Sequence, residues 1–160
     1  MNEKITIENY QENAIRTCLP SVRNSGYATL NYEAEYFELL AKIKSMQAKE
    51  IRDGADFDKA KYLDKIKDKL GDCYWQLALC CELRELEFSS EIDLESIFPS
   101  TDCKVDTKRT KDFRICRQWI FRQFGHMNFI RKYFGFDINE ILQRNIEKLA
   151  SRAEIGVAKR

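Results

Sequence analysis

Apolar residues recur along this chain at steps of three and four, with no convincing alternation of strand type between them. Only Pro20, Pro99 and six glycines punctuate the pattern, which predicts a nearly all-helical protein. A first helix is expected over about Ile7 to Cys18, capped by Thr6 and ending before Pro20 and the polar loop that follows it. A second should cover about Thr29 to Arg52, where Tyr32, Tyr36, Leu39, Leu40 and Ile43 trace one apolar stripe. Asp53-Gly54-Ala55-Asp56 breaks it. The third, from about Asp58 to Glu85, repeats the same period through Ile66, Leu70, Cys73, Tyr74 and Leu77, so the two make a long helical hairpin. Residues 87 to 111 carry turn formers and charge and read as a loop or irregular insertion. Phe113 to Tyr133 reads as a helix interrupted near Gly125. The last helix begins at Asp137 as cap, with Glu140 as its capping-box mate and Phe136 and Ile141 as a hydrophobic staple. The expected fold is an all-α, antiparallel helical bundle.

With 160 residues, 44% of them hydrophobic, the chain can bury one core, and a single domain over 1–160 is expected, with an insertion at about 88–132. Twenty-seven basic and 26 acidic residues give a formal net charge of +1, so no global field points to nucleic acid or membrane. The distribution is less even. Between Lys104 and Lys132 nine basic residues stand against two acidic ones and are interleaved with aromatics, a composition compatible with nucleic-acid contacts; the competing reading is an amphipathic helix whose aromatics pack while its arginines stay solvated. Six cysteines without a C-x-x-C pair, and a start that lacks the apolar core of a signal peptide, suggest a reduced, cytoplasmic chain. The longest apolar run is broken by Asp72, Gln76 and Glu82, so no membrane span is expected.

Acidic pairs carry the candidate chemistry. Glu35 and Glu38 lie one turn apart on the second helix, flanked on the same side by Asn31 and Lys42, and Asp68 and Asp72 are stacked likewise on the third. Across an antiparallel hairpin the four carboxylates can converge as hard oxygen ligands suited to Mg²⁺. Glu35 and Glu38 taken alone read first as a solvated face, as most such pairs on long charged helices are. Asp72 does not, because it falls within the apolar run from Leu70 to Cys81 and must be compensated there. The compensation could come from a metal or from a buried salt bridge, for instance with Lys44 or Lys69.

Three segments, in order, resemble the MazG-like all-α nucleoside triphosphate pyrophosphohydrolases. Leu30 to Lys44 is similar to the family's first metal-binding helix. Lys67-Asp68-Lys69-Leu70-Gly71-Asp72-Cys73-Tyr74-Trp75-Gln76-Leu77 resembles its Glu-Glu-Leu-Gly-Asp-x-x-Trp-x-Leu segment, and Phe134 to Leu149 resembles its closing helix with an Asn-x-x-Lys-Leu signature. Tyr10-Gln11 near the start is typical of the phage-type members. The resemblance covers roughly residues 5 to 85 and 133 to 153. It implies release of pyrophosphate from a nucleoside triphosphate with Mg²⁺, or alternatively Mn²⁺. Glu35, Glu38 and Asp72 would be catalytic metal ligands, Asp68 a further ligand, and Asn145, Lys148, Arg152 and Lys42 substrate-facing residues. Relatives assemble as dimers or tetramers, and a narrow bundle exposing Tyr32, Tyr36, Phe37, Tyr74 and Trp75 would need such a partner surface.

The chain departs from the family pattern where it matters most. Lys69 stands where the motif has its third acid, three residues before Asp72, and Ala34 replaces the glycine before Glu35. Either Asp68 replaces the missing ligand, or the Lys69 ammonium neutralises the cluster in place of a metal. The second case predicts a catalytically impaired relative that binds nucleotide, nucleic acid or protein. A purely structural helical adaptor ranks third. The lone His126 reads as structural.

Overall fold

The computed structural model describes residues 3–96 and 117–154, and within them six α-helices pack around one of their number with no strand. They are α1 (Ile7–Arg16), α2 (Ser25–Asp53), α3 (Lys59–Leu83), α4 (Phe88–Glu91), α5 (Arg117–Phe134) and α6 (Ile138–Glu154). Single 3₁₀ turns at Pro20–Val22 and Gly54–Asp56 flank α2.

Local chemistry explains the boundaries. Before α1 the Thr6 amide donates to the Asn9 side chain at 2.8 Å. The second helix begins at Ser25, four residues earlier than its apolar stripe suggests, because the Asn24 side chain accepts the Tyr27 amide at 3.1 Å and so caps a polar first turn. Gly54, at φ 57°, ends it in a conformation that a side chain would strain. Asp58 caps α3 by accepting the Lys61 amide. At the start of α6 the Asp137 carboxylate accepts the Glu140 amide at 3.0 Å, while the Glu140 side chain reaches across to Lys67 at 2.9 Å instead of closing a capping box.

The third helix is the axis of the molecule. Every residue from Leu70 to Cys81 is buried, since α1, α2, α4, α5 and α6 all pack on it. Lys69 opposite Glu35 and Glu38, and Lys49 opposite Tyr62, show that α2 and α3 run antiparallel. Lys67 with Glu140, Asp68 with Arg144 and Asp72 with Lys148 show that α6 runs parallel to α3. On the α1 side the Trp75 indole N–H donates to the Ala14 carbonyl and the Thr17 hydroxyl at 3.2 and 3.1 Å. Burying that ring contributes roughly 2–3 kcal/mol.

The remaining side of α3 is covered by α5, which runs without interruption through a buried Gly125. Trp119, Ile120, Phe124 and Met127 enter the core. Trp119 meets the Tyr32 ring edge-on at 5.4 Å, and Phe124 meets Phe88 at 5.2 Å. As a result Tyr32, Tyr36, Tyr74 and Trp75 are buried within their own chain, and of the five aromatics expected on a partner surface only Phe37 is exposed, at 65%. The sequence pattern could not show that a segment some 85 residues away along the chain covers that face. The part of the basic stretch at 97–116 lies outside the described residues.

Helices α3 and α6 approach most closely at Gly71, where a Cβ would stand 3.1 Å from Asn145 Cβ and 3.5 Å from the Ile141 carbonyl. A large side chain there has to push the helices apart. Gly71→Leu should lower unfolding stability by about 3 kcal/mol, the upper end of ordinary overpacking, as read by the urea midpoint at constant m-value. An unchanged midpoint would show that the contact is not close.

Candidate functional site

Asp72 enters the seam among α2, α3 and α6 because it lies on the helix that is buried on all sides; its side chain is 8% exposed. Two ammonium groups compensate it. Lys148 Nζ donates to Asp72 Oδ1 at 2.6 Å, and Lys69 Nζ lies 4.0 Å from Oδ2. Of the two cations expected there, Lys69 is present and Lys44 is not; the second is Lys148, from the other end of the chain. Lys69 also reaches across the hairpin, donating to Glu35 Oε2 at 3.3 Å and to Glu38 Oε2. One ammonium therefore sits among three carboxylates from two helices, hydrogen-bonded to two of them and ion-paired with the third.

The fourth carboxylate is turned elsewhere. Asp68, stacked one turn before Asp72, accepts from Arg144 at 3.0 and 3.2 Å, and the same guanidinium lies 3.9 Å from Asp64. The expectation that Asp68 joins the other three is not realised in this arrangement; Lys69 takes the inward position and Asp68 faces α6. Spacing offers a signal for these pairings. Arg144 and Lys148 repeat at four residues, as do Asp68 and Asp72, and two parallel helices can match such pairs one to one.

The residues expected to face a substrate divide into two groups. Lys148 lies at the carboxylate cluster. Asn145 does not present its amide to solvent: it is 2% exposed, and its Oδ1 accepts the Tyr10 hydroxyl at 2.8 Å, tying α1 to α6. Its Nδ2 is buried without a partner among the described residues. Lys42 and Arg152 are half-buried and make no ion pair with a described residue. Of the basic residues in the later segment, Arg117 pairs with Glu91 at 2.8 Å, Lys132 with Glu95 at 2.9 Å, and Arg131 donates to the Phe136 carbonyl, leaving Arg122 exposed. His126 is buried beside the Tyr36 ring.

Burial and neighbouring charges shift the groups of the cluster. Burial, then the Asp72 carboxylate, hold the Glu35 carboxyl above its ordinary range; Lys69 offsets part of this, and Glu38 adds to it. Burial alone would lower the Lys69 ammonium, but the hydrogen bond to Glu38 and the charges of Glu35 and Asp72 carry it above its ordinary value, so it stays protonated. The adjacent Cys73 thiol, fully buried and next to the Glu35 and Asp72 charges, is pushed well up and is inert as a nucleophile. In donor chemistry Glu35, Glu38 and Asp72 fit a hard divalent cation, since three carboxylates converge at an edge that solvent reaches through the 57% exposed Glu38. Their common position is held by Lys69. As arranged, no group of three or more potential ligands among the described residues is set to hold a metal.

Comparison with protein families, with curated proteins and with solved structures gives no match.

Two substitutions test the polar groups around the seam. Tyr10→Phe strands the buried Asn145 carbonyl oxygen and should cost about 1–2 kcal/mol by urea unfolding. An unaltered midpoint would mean that the hydroxyl is not bonded there. Gln76, one turn past Asp72, is fully buried with neither amide atom partnered among the described residues. Gln76→Leu should therefore raise stability by about 1 kcal/mol, and a destabilised variant would show that the amide is satisfied in solution.

Proposed function

We propose that this chain is a nucleoside triphosphate pyrophosphohydrolase of the MazG-like all-α kind, converting its substrate to a nucleoside monophosphate and pyrophosphate with Mg²⁺, or Mn²⁺ in its place. One observation carries the reading. Glu35 and Glu38 of α2 and Asp72 of α3 converge on one point of an antiparallel hairpin, within reach of a single cation. These three residues would hold the metal, while Asp68 stays with Arg144 on the α6 side. When bound, the ion neutralises phosphate charge and acidifies a water for attack at phosphorus.

The chain's own cations do the rest. Lys148 and Arg144 sit on the neighbouring turns of α6, held in place by Asp72 and Asp68, and supply fixed positive charge on the side where a triphosphate would lie. Preorganised charge of this kind needs no rearrangement as the bond to pyrophosphate breaks. Lys42 and Arg152 extend the basic edge along α2 and α6. Asn145 acts from behind, fixing the face of α6 through Tyr10. Leu30 and Phe37, two turns apart on α2, together with Phe129 and Tyr133 on α5, leave apolar surface that supports assembly as a homodimer or homotetramer. The absence of any helix long and apolar enough to cross a membrane among the described residues agrees with a cytoplasmic enzyme.

The Lys69 ammonium favours a second reading: a relative that retains the nucleotide site and has lost turnover, serving as a nucleotide-, nucleic-acid- or protein-binding module. Pyrophosphate release from a panel of canonical and modified nucleoside triphosphates, with Mg²⁺ or Mn²⁺, separates the two. The enzyme reading expects turnover that falls about 100-fold or more in Asp72→Asn. Calorimetric binding of a triphosphate with no pyrophosphate released from any member of the panel would leave the second reading in its place.

A further inference from the structure

The geometry points to Lys69 as a tethered cation that takes the place of the divalent ion in the acidic cluster, so that this chain loads a metal only by displacing its own side chain. The inference rests on the reading of Glu35, Glu38 and Asp72 as metal ligands. It concerns what this chain does with them.

Three facts carry it. First, Lys69 Nζ is the one described atom that bonds or faces all three carboxylates, at 3.3 Å from Glu35, in hydrogen bond with Glu38 and 4.0 Å from Asp72. An ammonium has three donors and no acceptor, so it satisfies the same oxygens that a hard cation would take. Second, formal charge discriminates between the two states. Lys69 brings one positive charge to the three carboxylates, and without it the cluster is one unit more negative, which favours entry of a divalent ion. At an effective dielectric near 20 a unit charge about 4 Å away changes the binding of an ion by several kcal/mol, so the lysine is a strong competitor. Third, the side chain can leave. Lys69 is 28% exposed at the rim of the seam, on a flexible four-carbon stem, whereas Lys148 reaches Asp72 from the far side and can remain.

The consequence is a site whose metal affinity is conditional. In the metal-free protein the lysine prevents the repulsion that three clustered carboxylates would otherwise exert across the hairpin, so the fold does not depend on a divalent ion. The cost is weak loading, because each binding event must first break the Lys69 contacts. A nucleoside triphosphate brings negative charge to the rim, where a displaced ammonium has somewhere to go; metal and triphosphate should therefore bind more tightly together than apart.

The experiment is a Mn²⁺ titration of the full chain, read by the paramagnetic resonance of free Mn²⁺, with thermal unfolding in EDTA and in Mn²⁺. Wild type, Lys69→Gln, Lys69→Arg and Lys69→Gln combined with Asp72→Asn are compared. Lys69→Gln should bind Mn²⁺ about tenfold or more tightly than wild type, unfold at a lower Tm in EDTA and recover with Mn²⁺. Lys69→Arg should stay as weak as wild type, and the added Asp72→Asn should abolish the gain. Should Lys69→Gln not fold in EDTA, Lys69→Glu folded in Mn²⁺ and unfolded by chelation reads the same exchange. Equal Mn²⁺ affinity in wild type and Lys69→Gln overturns the inference. Tighter Mn²⁺ binding by Lys69→Gln alongside a wild type that releases no pyrophosphate would leave the exchange standing and remove the hydrolase reading. Turnover by wild type with equal Mn²⁺ affinity in both chains would do the reverse.

Discussion

A carboxylate inside the central helix is the constraint around which the rest of this molecule is arranged. Asp72 lies in a stretch of α3 that is buried on every side, where leaving an ionised group unpaired would cost about 3–5 kcal/mol, a large part of a domain's net stability. Its two lysines come from opposite directions, one from its own helix and one from α6. Lys148 can reach it only if α6 lies parallel to α3 and in register, with Arg144 meeting Asp68 one turn earlier and Glu140 meeting Lys67 before that. The close approach of Gly71 to Asn145 makes this register sterically possible. The ion pairs specify the position of α6; apolar residues such as Ile141, Leu142 and Leu149 supply most of the energy that holds it there.

The same constraint makes the site electrostatically unfinished. Both ammonium groups are engaged, yet the Glu35 carboxyl remains above its ordinary range because burial and the Asp72 charge outweigh the help from Lys69. A structural ion pair normally lowers a carboxylic acid instead. Lys69, with one charge to set against three carboxylates, holds the hairpin together without saturating it. Other ion pairs, such as Arg16 with Glu12 or Arg52 with Asp53, lie on the open surface and contribute little.

Much of this was legible in the chain because helices are local objects. The period of Ile66, Leu70, Cys73 and Leu77, the Asp137 cap and the breaking Gly54 all act within a few residues of the backbone they control. The need of Asp72 for a cation was legible too, since burial could be inferred from its neighbours. Lys69, three residues away on the same helix, was legible as one of its cations and lies 4.0 Å from it. Lys148 was not, because its place depends on where a helix 76 positions away comes to rest. The face of α2 and α3 that looked unpartnered is covered by α5, and Gly125 is helical because it is packed against that face. Interior packing overrides a weak propensity of about 1 kcal/mol.

Tyr10 shows how the parts distant in sequence act on one site. Its ring is fully buried against Phe88, and its hydroxyl reaches Asn145, which stands beside Gly71 and one residue after Arg144. Three helices are thereby fixed at the level of the carboxylate cluster, just behind its cations. Such a support leaves Lys148 and Arg144 little freedom in backbone position, while Lys69 and Glu38 face them across Asp72 at the rim. A rigid rear wall of this kind is what a site needs if the groups in front of it are to exchange charge without disturbing the helices that define it.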